Sequence, residues 1–328
     1  MFSLAKLKFD DMFENRLSKE ETRDYLIELY ERGETSAEIA AAASAMREHM
    51  VPLPINYELK SKAIDVVGTG GDKSYSFNIS STVSFVLAAC GSYVAKHGNR
   101  SITSKSGSAD MLETLGINLG LDSQSLVTML EKTGFCFMFA GNHHPAMKYI
   151  MPIRKSIDHR TIFNILGPLS NPASVSKQMI GVFSKEYVGK LTDALNLLDT
   201  KRAMVVSSND GMDEISISDV TFANSLINGK IEEFVIDPQE YGLKLASKDS
   251  IVGGDAIENA KITKAILEGE IKDSKLDIIL LNTAAALVVD DKARDIKEGI
   301  EIAKDAILSG KTKEKLKEII EISNKLKK

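Results

Sequence analysis

The strongest chemical signal in the chain is Gly68-Thr69-Gly70-Gly71-Asp72. It follows the apolar run Ala63-Ile64-Asp65-Val66-Val67 and precedes a helix-like run from Ser80 to Ala89. A strand, a glycine loop and a helix in that order present bare N–H groups and a helix N-terminus to an anion. Glycine lets the backbone approach a ligand with no Cβ in the way. The loop lacks the third glycine of the dinucleotide pattern and the Lys-Ser/Thr end of a P-loop. It is therefore either another kind of anion cradle or a tight turn. The small polar side chains behind it, Ser74, Ser76, Asn78, Ser80, Ser81 and Thr82, favour the cradle. They can donate to phosphate oxygens or bind a cation, although some must cap the helix.

Three further clusters bear on the same question. Lys96-His97-Gly98-Asn99-Arg100 follows the apolar Tyr93-Val94-Ala95 and forms an electropositive patch at a strand end. Ser104-Lys105-Ser106-Gly107-Ser108-Ala109-Asp110 is a second Ser/Gly loop opening a helix, with Ser108 as its expected N-cap. Asp210-Gly211-Met212-Asp213-Glu214 offers adjacent carboxylates. These are either a surface turn or hard ligands for Mg²⁺, which takes one or two carboxylates together with phosphate oxygens. In Asn142-His143-His144-Pro145 the adjacent histidines cannot face one metal. Arg154, expected on the same helix as His144, is either a surface arginine or a bidentate grip on a substrate carboxylate.

The elements that must position these residues change character along the chain. Residues 1 to about 60 are expected to be helix only. Ser18-Lys19-Glu20-Glu21 and Thr35-Ser36-Ala37-Glu38 are capping-box patterns, and Pro52 stops the second helix. The alanine-rich stretch Ile39 to Met46 is either an internal core face or a dimer surface. From Ala63 onward strands and helices alternate. The expected strands are Ala63–Val67, Tyr93–Ala95, Phe135–Phe139, Met179–Phe183, Ala203–Ser207 and Asp277–Leu281, with further strands at Ile215–Ile217 and Glu233–Ile236. Helices are expected at Ser80–Ala89, Ala109–Leu115, Ser123–Thr133, Ala146–Ser156, Tyr187–Leu198 and, broken at Gly310, from Ala293 to Lys328. This predicts an α/β fold with a mostly parallel sheet and a site at the strand carboxyl ends. The small N-terminal helical domain is residues 1–62, rejoined by a returning segment near 155–172. Residues 63–328 form the larger α/β domain, with a hinged cleft between the two.

Composition sets the outer limits. The chain has 328 residues, is 43% hydrophobic and 27% charged, and carries a net charge of −5, which argues against nucleic acid as the main partner. Its 2 cysteines, Cys90 and Cys136, are too few for a disulfide framework and suit a reducing cytoplasm. No signal peptide is read at the N-terminus. The longest apolar stretch, Ile278 to Val289, falls short of the roughly 20 residues a membrane span requires.

In order, Val67–Asp72, Val94–Arg100, Ser106–Asp110, Arg160-Thr161-Ile162-Phe163-Asn164-Ile165-Leu166-Gly167-Pro168-Leu169, Asp210–Glu214 and Gly253-Gly254-Asp255-Ala256 resemble the signatures of the anthranilate phosphoribosyltransferase family of tryptophan biosynthesis. The resemblance covers the whole chain. It implies transfer of phosphoribose from 5-phosphoribosyl-1-diphosphate to the amine of anthranilate, with Mg²⁺ (two ions per subunit) and a homodimer formed through the helical domains. It places Gly68, Gly70, Gly71, Asp72, Ser76, Asn78, Ser80, Lys96, Asn99 and Ser108 at the diphosphate sugar. Ser80, Asp213 and Glu214 fall at the metal, and Gly68, His97, Asn99, His144, Arg154 and Gly167 at anthranilate. Two departures concern the acceptor end. Met147 stands where some members have tyrosine, and Asp158-His159 where Gly-Ile is frequent.

The implied chemistry needs leaving-group stabilisation and positioning. An arylamine is neutral at pH 7, so no catalytic base is obligate, and His97 is the one candidate for a direct part. The nearest rivals are a pyrimidine nucleoside phosphorylase, which needs no acidic metal pair, and a non-catalytic nucleic-acid-binding relative, which would have a basic surface.

Overall fold

The computed structural model describes residues 2–100 and 105–326. Four helices open the chain: α1 (Phe2–Phe13), α2 (Lys19–Arg32), α3 (Ser36–Glu48) and α4 (Tyr57–Lys62). Both expected capping boxes form. Ser18 Oγ accepts from Glu21 N–H while the Glu21 carboxylate accepts from Ser18 N–H, and Thr35 and Glu38 repeat the exchange. The alanine stretch of α3 is a core face, since Ala40 to Ala43 and Ala45 are all 0% exposed.

The remaining elements alternate, with β1 (Ala63–Gly68), α5 (Ile79–Ala89), β2 (Tyr93–Gly98), α6 (Ser108–Thr114), α7 (Ser123–Thr133) and β3 (Phe135–Phe139) coming first. Next are α8 (Ala140–His143), α9 (Met147–Lys155), α10 (Phe163–Leu169), β4 (Lys177–Gly181), α11 (Glu186–Leu197) and β5 (Arg202–Ser208). A hairpin of β6 (Thr221–Ile227) and β7 (Lys230–Ile236) precedes four closing helices, α12 (Ala256–Leu267), α13 (Ser274–Val289), α14 (Ile296–Leu308) and α15 (Lys311–Lys325). The 7 strands form one sheet in the order β3-β2-β1-β4-β5-β6-β7. The first five are parallel and the last two antiparallel.

Strand alternation divides the interior into two cores. Met179, Met204 and Val206 face a core shared with α5, α7 and the closing helices. Ile180, Ala203 and Val205 face the other, together with Phe9, Leu26, Leu29 and Ile39 of the N-terminal helices. Ile150, Ile153, Phe163 and Leu166 complete that second core.

Several elements differ from expectation. Asp277–Leu281 lies inside α13, not in a strand. A buried helix is apolar all round, and a short stretch of it has the same pattern as a buried strand. Ile215–Ile217 is not a strand; those residues are buried in the turn ahead of β6. The strand expected at Met179–Phe183 begins and ends two residues earlier. Lys327 and Lys328, at the end of the expected terminal helix, lie outside the described residues.

Candidate active site

The glycine loop emerges from the carboxyl end of β1, as the strand–loop–helix pattern requires. Gly70 and Gly71 have φ of +68° and +75°, which other residues adopt only under strain. Gly70 N–H donates to Asp213 Oδ2 at 2.6 Å, and Thr69 N–H to the Gly181 carbonyl at 2.9 Å. Asp213 therefore sits beneath the loop. Two glycines make room for it: a Cβ on Gly68 would lie 2.3 Å from Asp213 Oδ2, and one on Gly181 only 1.6 Å from the Asp213 carbonyl oxygen. Gly181 was not among the expected site residues. Its signal in the sequence is a glycine inside the apolar run Met179–Phe183.

Negative charge is crowded here. Asp213 is buried and its pKa is pushed up, first by that burial and then by neighbouring Asp72. Glu214 is held well above the usual carboxylate range by desolvation and by Asp213. Asp72 Oδ2 is buried without a hydrogen-bond partner. Lys96 is a buried cation beside these acids. Its Nζ donates to the Val66 carbonyl at 2.6 Å and to Ser80 Oγ at 3.2 Å. Burial lowers its pKa, while Asp65 and Glu214 hold it up. Hard oxygen ligands with excess negative charge and an orphaned carboxylate oxygen fit a divalent cation. Among the described residues no three acids or histidines chelate one unaided. That suits Mg²⁺, which completes its shell with water and phosphate oxygens.

Lys96 and His97 lie on β2 itself, because the strand extends to Gly98, while Asn99 and Arg100 follow it. Alternation then sends Lys96 and His97 to opposite faces. Lys96 reaches the Val66 carbonyl of β1 and Ser80. His97 meets His144, with ring centroids 5.1 Å apart. Burial, followed by His144, lowers the His97 pKa to about 3, with the Gly167 backbone opposing. His144 is lowered to about 4 by burial and by His143. His97 Nε2 and both His144 ring nitrogens make no hydrogen bond. Beneath them, fully buried Asp65 accepts from His97 N–H at 3.2 Å and from Asn171 Nδ2 at 2.7 Å. Asn171 also donates to the Ala95 carbonyl at 2.9 Å. Neither residue was among the expected site, although an acid inside an apolar strand run is a readable signal.

Arg154 lies in the last turn of α9, whereas His144 lies in the turn before that helix. The expected shared helix is thus two separate elements. The Arg154 guanidinium rests over the Phe163 ring, 5.6 Å from its centroid, and reaches Asn164 Oδ1 at 3.5 Å. Its pKa is lowered by burial alone, with no carboxylate raising it. Gly167 lies one turn along α10 from Asn164, with open space where a Cβ would be.

Other expectations change. Arg100 is committed to Asp110 and Glu113, at 2.9 and 2.7 Å, and leaves the electropositive patch. Ser108 is not the N-cap of α6; Gly107 takes that place, and Ser108 Oγ donates to the Asn99 carbonyl at 3.2 Å. Ser74 and Ser76 hydrogen-bond to each other through their hydroxyls at 3.2 Å. Ser104 lies outside the described residues. Arg160, in a signature motif but not among the expected site residues, donates to the Gly71 carbonyl and lies over the Phe183 ring. The neighbouring His159 stacks on Tyr30 with centroids 3.8 Å apart, so one of the two family departures is engaged with α2.

Residues 5–50 match the helical bundle domain of the glycosyl transferase family, and residues 60–313 match its a/b domain. The chain is 44% identical over 322 residues to the anthranilate phosphoribosyltransferase of Xanthobacter autotrophicus, covering 98% of this chain and 92% of the relative. The crystal structure of the Thermus thermophilus anthranilate phosphoribosyltransferase superposes with a TM-score of 0.92 at 35% identity, covering 99% of this chain and 96% of that one. The Saccharomyces cerevisiae enzyme, solved in complex with PRPP and Mg, superposes at 0.86 with 27% identity, covering 98% and 92%. With a helical unit, a sheet of this order and an acid-lined glycine loop all in place, the chain belongs to the anthranilate phosphoribosyltransferase family.

Proposed function

We propose that this chain transfers the 5-phosphoribosyl group from 5-phosphoribosyl-1-diphosphate to the amine of anthranilate, releasing diphosphate, in tryptophan biosynthesis. The observation that carries this reading is the two-sidedness of β2. Lys96 reaches Ser80 on the side of the carboxylate Glu214, and His97 meets Gly167 of α10, the helix whose Asn164 meets Arg154, a cation with no carboxylate raising its pKa. The yeast relative has also been solved with 4-fluoroanthranilate, in keeping with an aromatic acceptor.

In this reading Gly68, Gly70, Gly71, Asp72, Ser76, Asn78, Ser80, Lys96, Asn99 and Ser108 hold the diphosphate sugar. Loop N–H groups supply fixed dipoles where negative charge grows. Asp213, Glu214 and Ser80 hold two Mg²⁺ ions, which when bound supply Lewis-acid neutralisation of the departing diphosphate. Arg154 grips the anthranilate carboxylate, and Gly68, His97, Asn99, His144 and Gly167 line the ring. With its pKa near 3, His97 stays neutral and orients the acceptor without needing to abstract a proton. Catalysis then rests on positioning and leaving-group stabilisation.

The helical unit (1–62, rejoined near 155–172) and the α/β unit (63–328) are read as hinging about this cleft. A homodimer through the helical unit is supported by Leu4 and Leu7, which are 75% and 60% exposed one turn apart on α1. Free Cys90 and Cys136 accord with a cytoplasmic setting. Among the described residues no helix is long and apolar enough to cross a membrane.

Anthranilate fluorescence tests the reading. It should fall only when the diphosphate sugar and Mg²⁺ are both present. Arg154→Ala should raise KM for anthranilate about tenfold or more, the worth of a charge-assisted pair, and leave KM for the diphosphate sugar unchanged. Phosphorolysis of thymidine or uridine with no loss of anthranilate would overturn it.

A further inference from the structure

One motif, Gly253-Gly254-Asp255-Ala256, has no part in the chemistry described so far. Asp255 is spent locally: its Oδ1 accepts from Ile257 and Glu258 N–H, both at 2.9 Å, and so caps α12. The glycines act at longer range. Gly253 N–H donates to the Tyr75 carbonyl at 2.9 Å, and Phe77 N–H donates to the Ile251 carbonyl at 3.2 Å. Ser76 and Val252 form an antiparallel bridge between them. The segment just before α5 is thereby pinned as a short ribbon against residues 251–253. A Cβ on Gly253 would lie 2.6 Å from Phe77 Cα and 2.4 Å from Asn259 Oδ1, so only glycine permits the approach.

Asn259, 2% exposed in the first turns of α12, joins this ribbon to the substrate loop. Its Oδ1 accepts from Gly254 N–H at 2.8 Å, and its Nδ2 donates to Asn78 Oδ1 at 2.9 Å. A backbone N–H can only donate, so it fixes Oδ1 of Asn259 as the acceptor end and Nδ2 as the donor end. Asn78 Oδ1 is then committed as an acceptor, with Ser106 Oγ also near it at 3.4 Å. The amide that Asn78 has left to offer is its donor end, whose contact within the protein is a long one, 3.4 Å to the Ser106 carbonyl.

We propose that Asn259, clamped by Gly254 N–H, is a positioning residue that sets the polarity of the Asn78 amide so that N–H, not C=O, faces the anionic substrate. The Gly253-Gly254 turn exists to seat that clamp. The inference rests on the reading that Asn78 contacts the diphosphate sugar.

The test is a double-mutant cycle on Asn259→Asp and Asn78→Ala, read as KM for the diphosphate sugar at saturating anthranilate and Mg²⁺. An aspartate still accepts from Gly254 N–H but cannot donate, so Asn78 turns over and presents an oxygen to the substrate. The expected result is a KM raised about tenfold or more, with kcat within about threefold and KM for anthranilate unchanged. In the Asn78→Ala background the same substitution should add nothing, an outcome a merely structural role would not produce. If Asn259→Asp does not fold, Asn259→Ser, which leaves the Asn78 amide free to turn, carries the same cycle. Asn259→Asp with unchanged KM, or an effect fully additive with Asn78→Ala, overturns the positioning role. Asn78→Ala with unchanged KM overturns instead the substrate reading beneath it.

Discussion

His97 and His144 show how burial decides what a side chain can do. The pattern Lys96-His97 reads as two positive charges side by side, yet burial lowers the pKa of both, and of the two only Lys96 has carboxylates, Asp65 and Glu214, opposing that shift. With its pKa near 3, the folded His97 remains neutral while an unfolded histidine takes a proton below about 6.5. As pH falls from 6.5 toward 3, the unfolded chain binds a proton that the folded chain refuses, and stability is lost. Asp65, raised to about 6 by burial, works in the opposite sense: between pH 6 and its unfolded value the folded chain takes the proton first. The clean measurement is therefore a difference. His97→Asn should lose about 2 kcal/mol less than the parent between pH 7.5 and 5, read from urea midpoints. An equal loss in both would show that His97 is charged in the folded protein.

At the scale of elements, the site depends on how closely the Asp210–Glu214 turn approaches β1 and β4. Gly68 and Gly181 end those two parallel neighbours, and their missing side chains leave the space that Asp213 occupies. Gly181→Ala puts a Cβ against backbone, which cannot swing aside. It should displace Asp213 and weaken Mg²⁺-dependent binding of the diphosphate sugar at least tenfold, measured by titration calorimetry. Gly70→Ala is a different case. Nothing lies within 4 Å of its Cβ position, and only the φ of +68° opposes the change. That costs about 1 kcal/mol of stability and should leave the metal dependence in place. If both variants behave alike, backbone strain and not steric room governs the loop.

At the scale of the whole molecule, the helical unit does not stand apart. Its core is continuous with one face of β4 and β5 through α11, and the His159–Tyr30 stack and the Arg160–Gly71 contact lead from α2 to the glycine loop. On α1 it leaves Leu4 and Leu7 exposed. If the proposed homodimer forms through α1, Leu4→Glu with Leu7→Glu should convert it to a monomer in light scattering while far-ultraviolet circular dichroism stays unchanged. An unaltered mass would place the dimer contact elsewhere or remove it.

Much of this was legible in the chain because it depends on local rules. Capping boxes, glycine loops at strand ends and the alternation of strands with helices involve residues only a few positions apart. The sequence by itself determined that a glycine-rich loop after a strand, a basic strand end and an acidic turn would be present, and in which order. Tertiary structure decided what each could do. Only in the fold does β2 extend far enough to send Lys96 and His97 to opposite faces, and only there is Arg100 lost to Asp110 and Glu113. Only there does Gly181 matter to Asp213, or Asn259 to Asn78, across gaps of tens to hundreds of residues. Those contacts depend on which strands pair and which helices cover them. No local pattern carries that information, because the same apolar run that builds α13 would equally have built a buried strand.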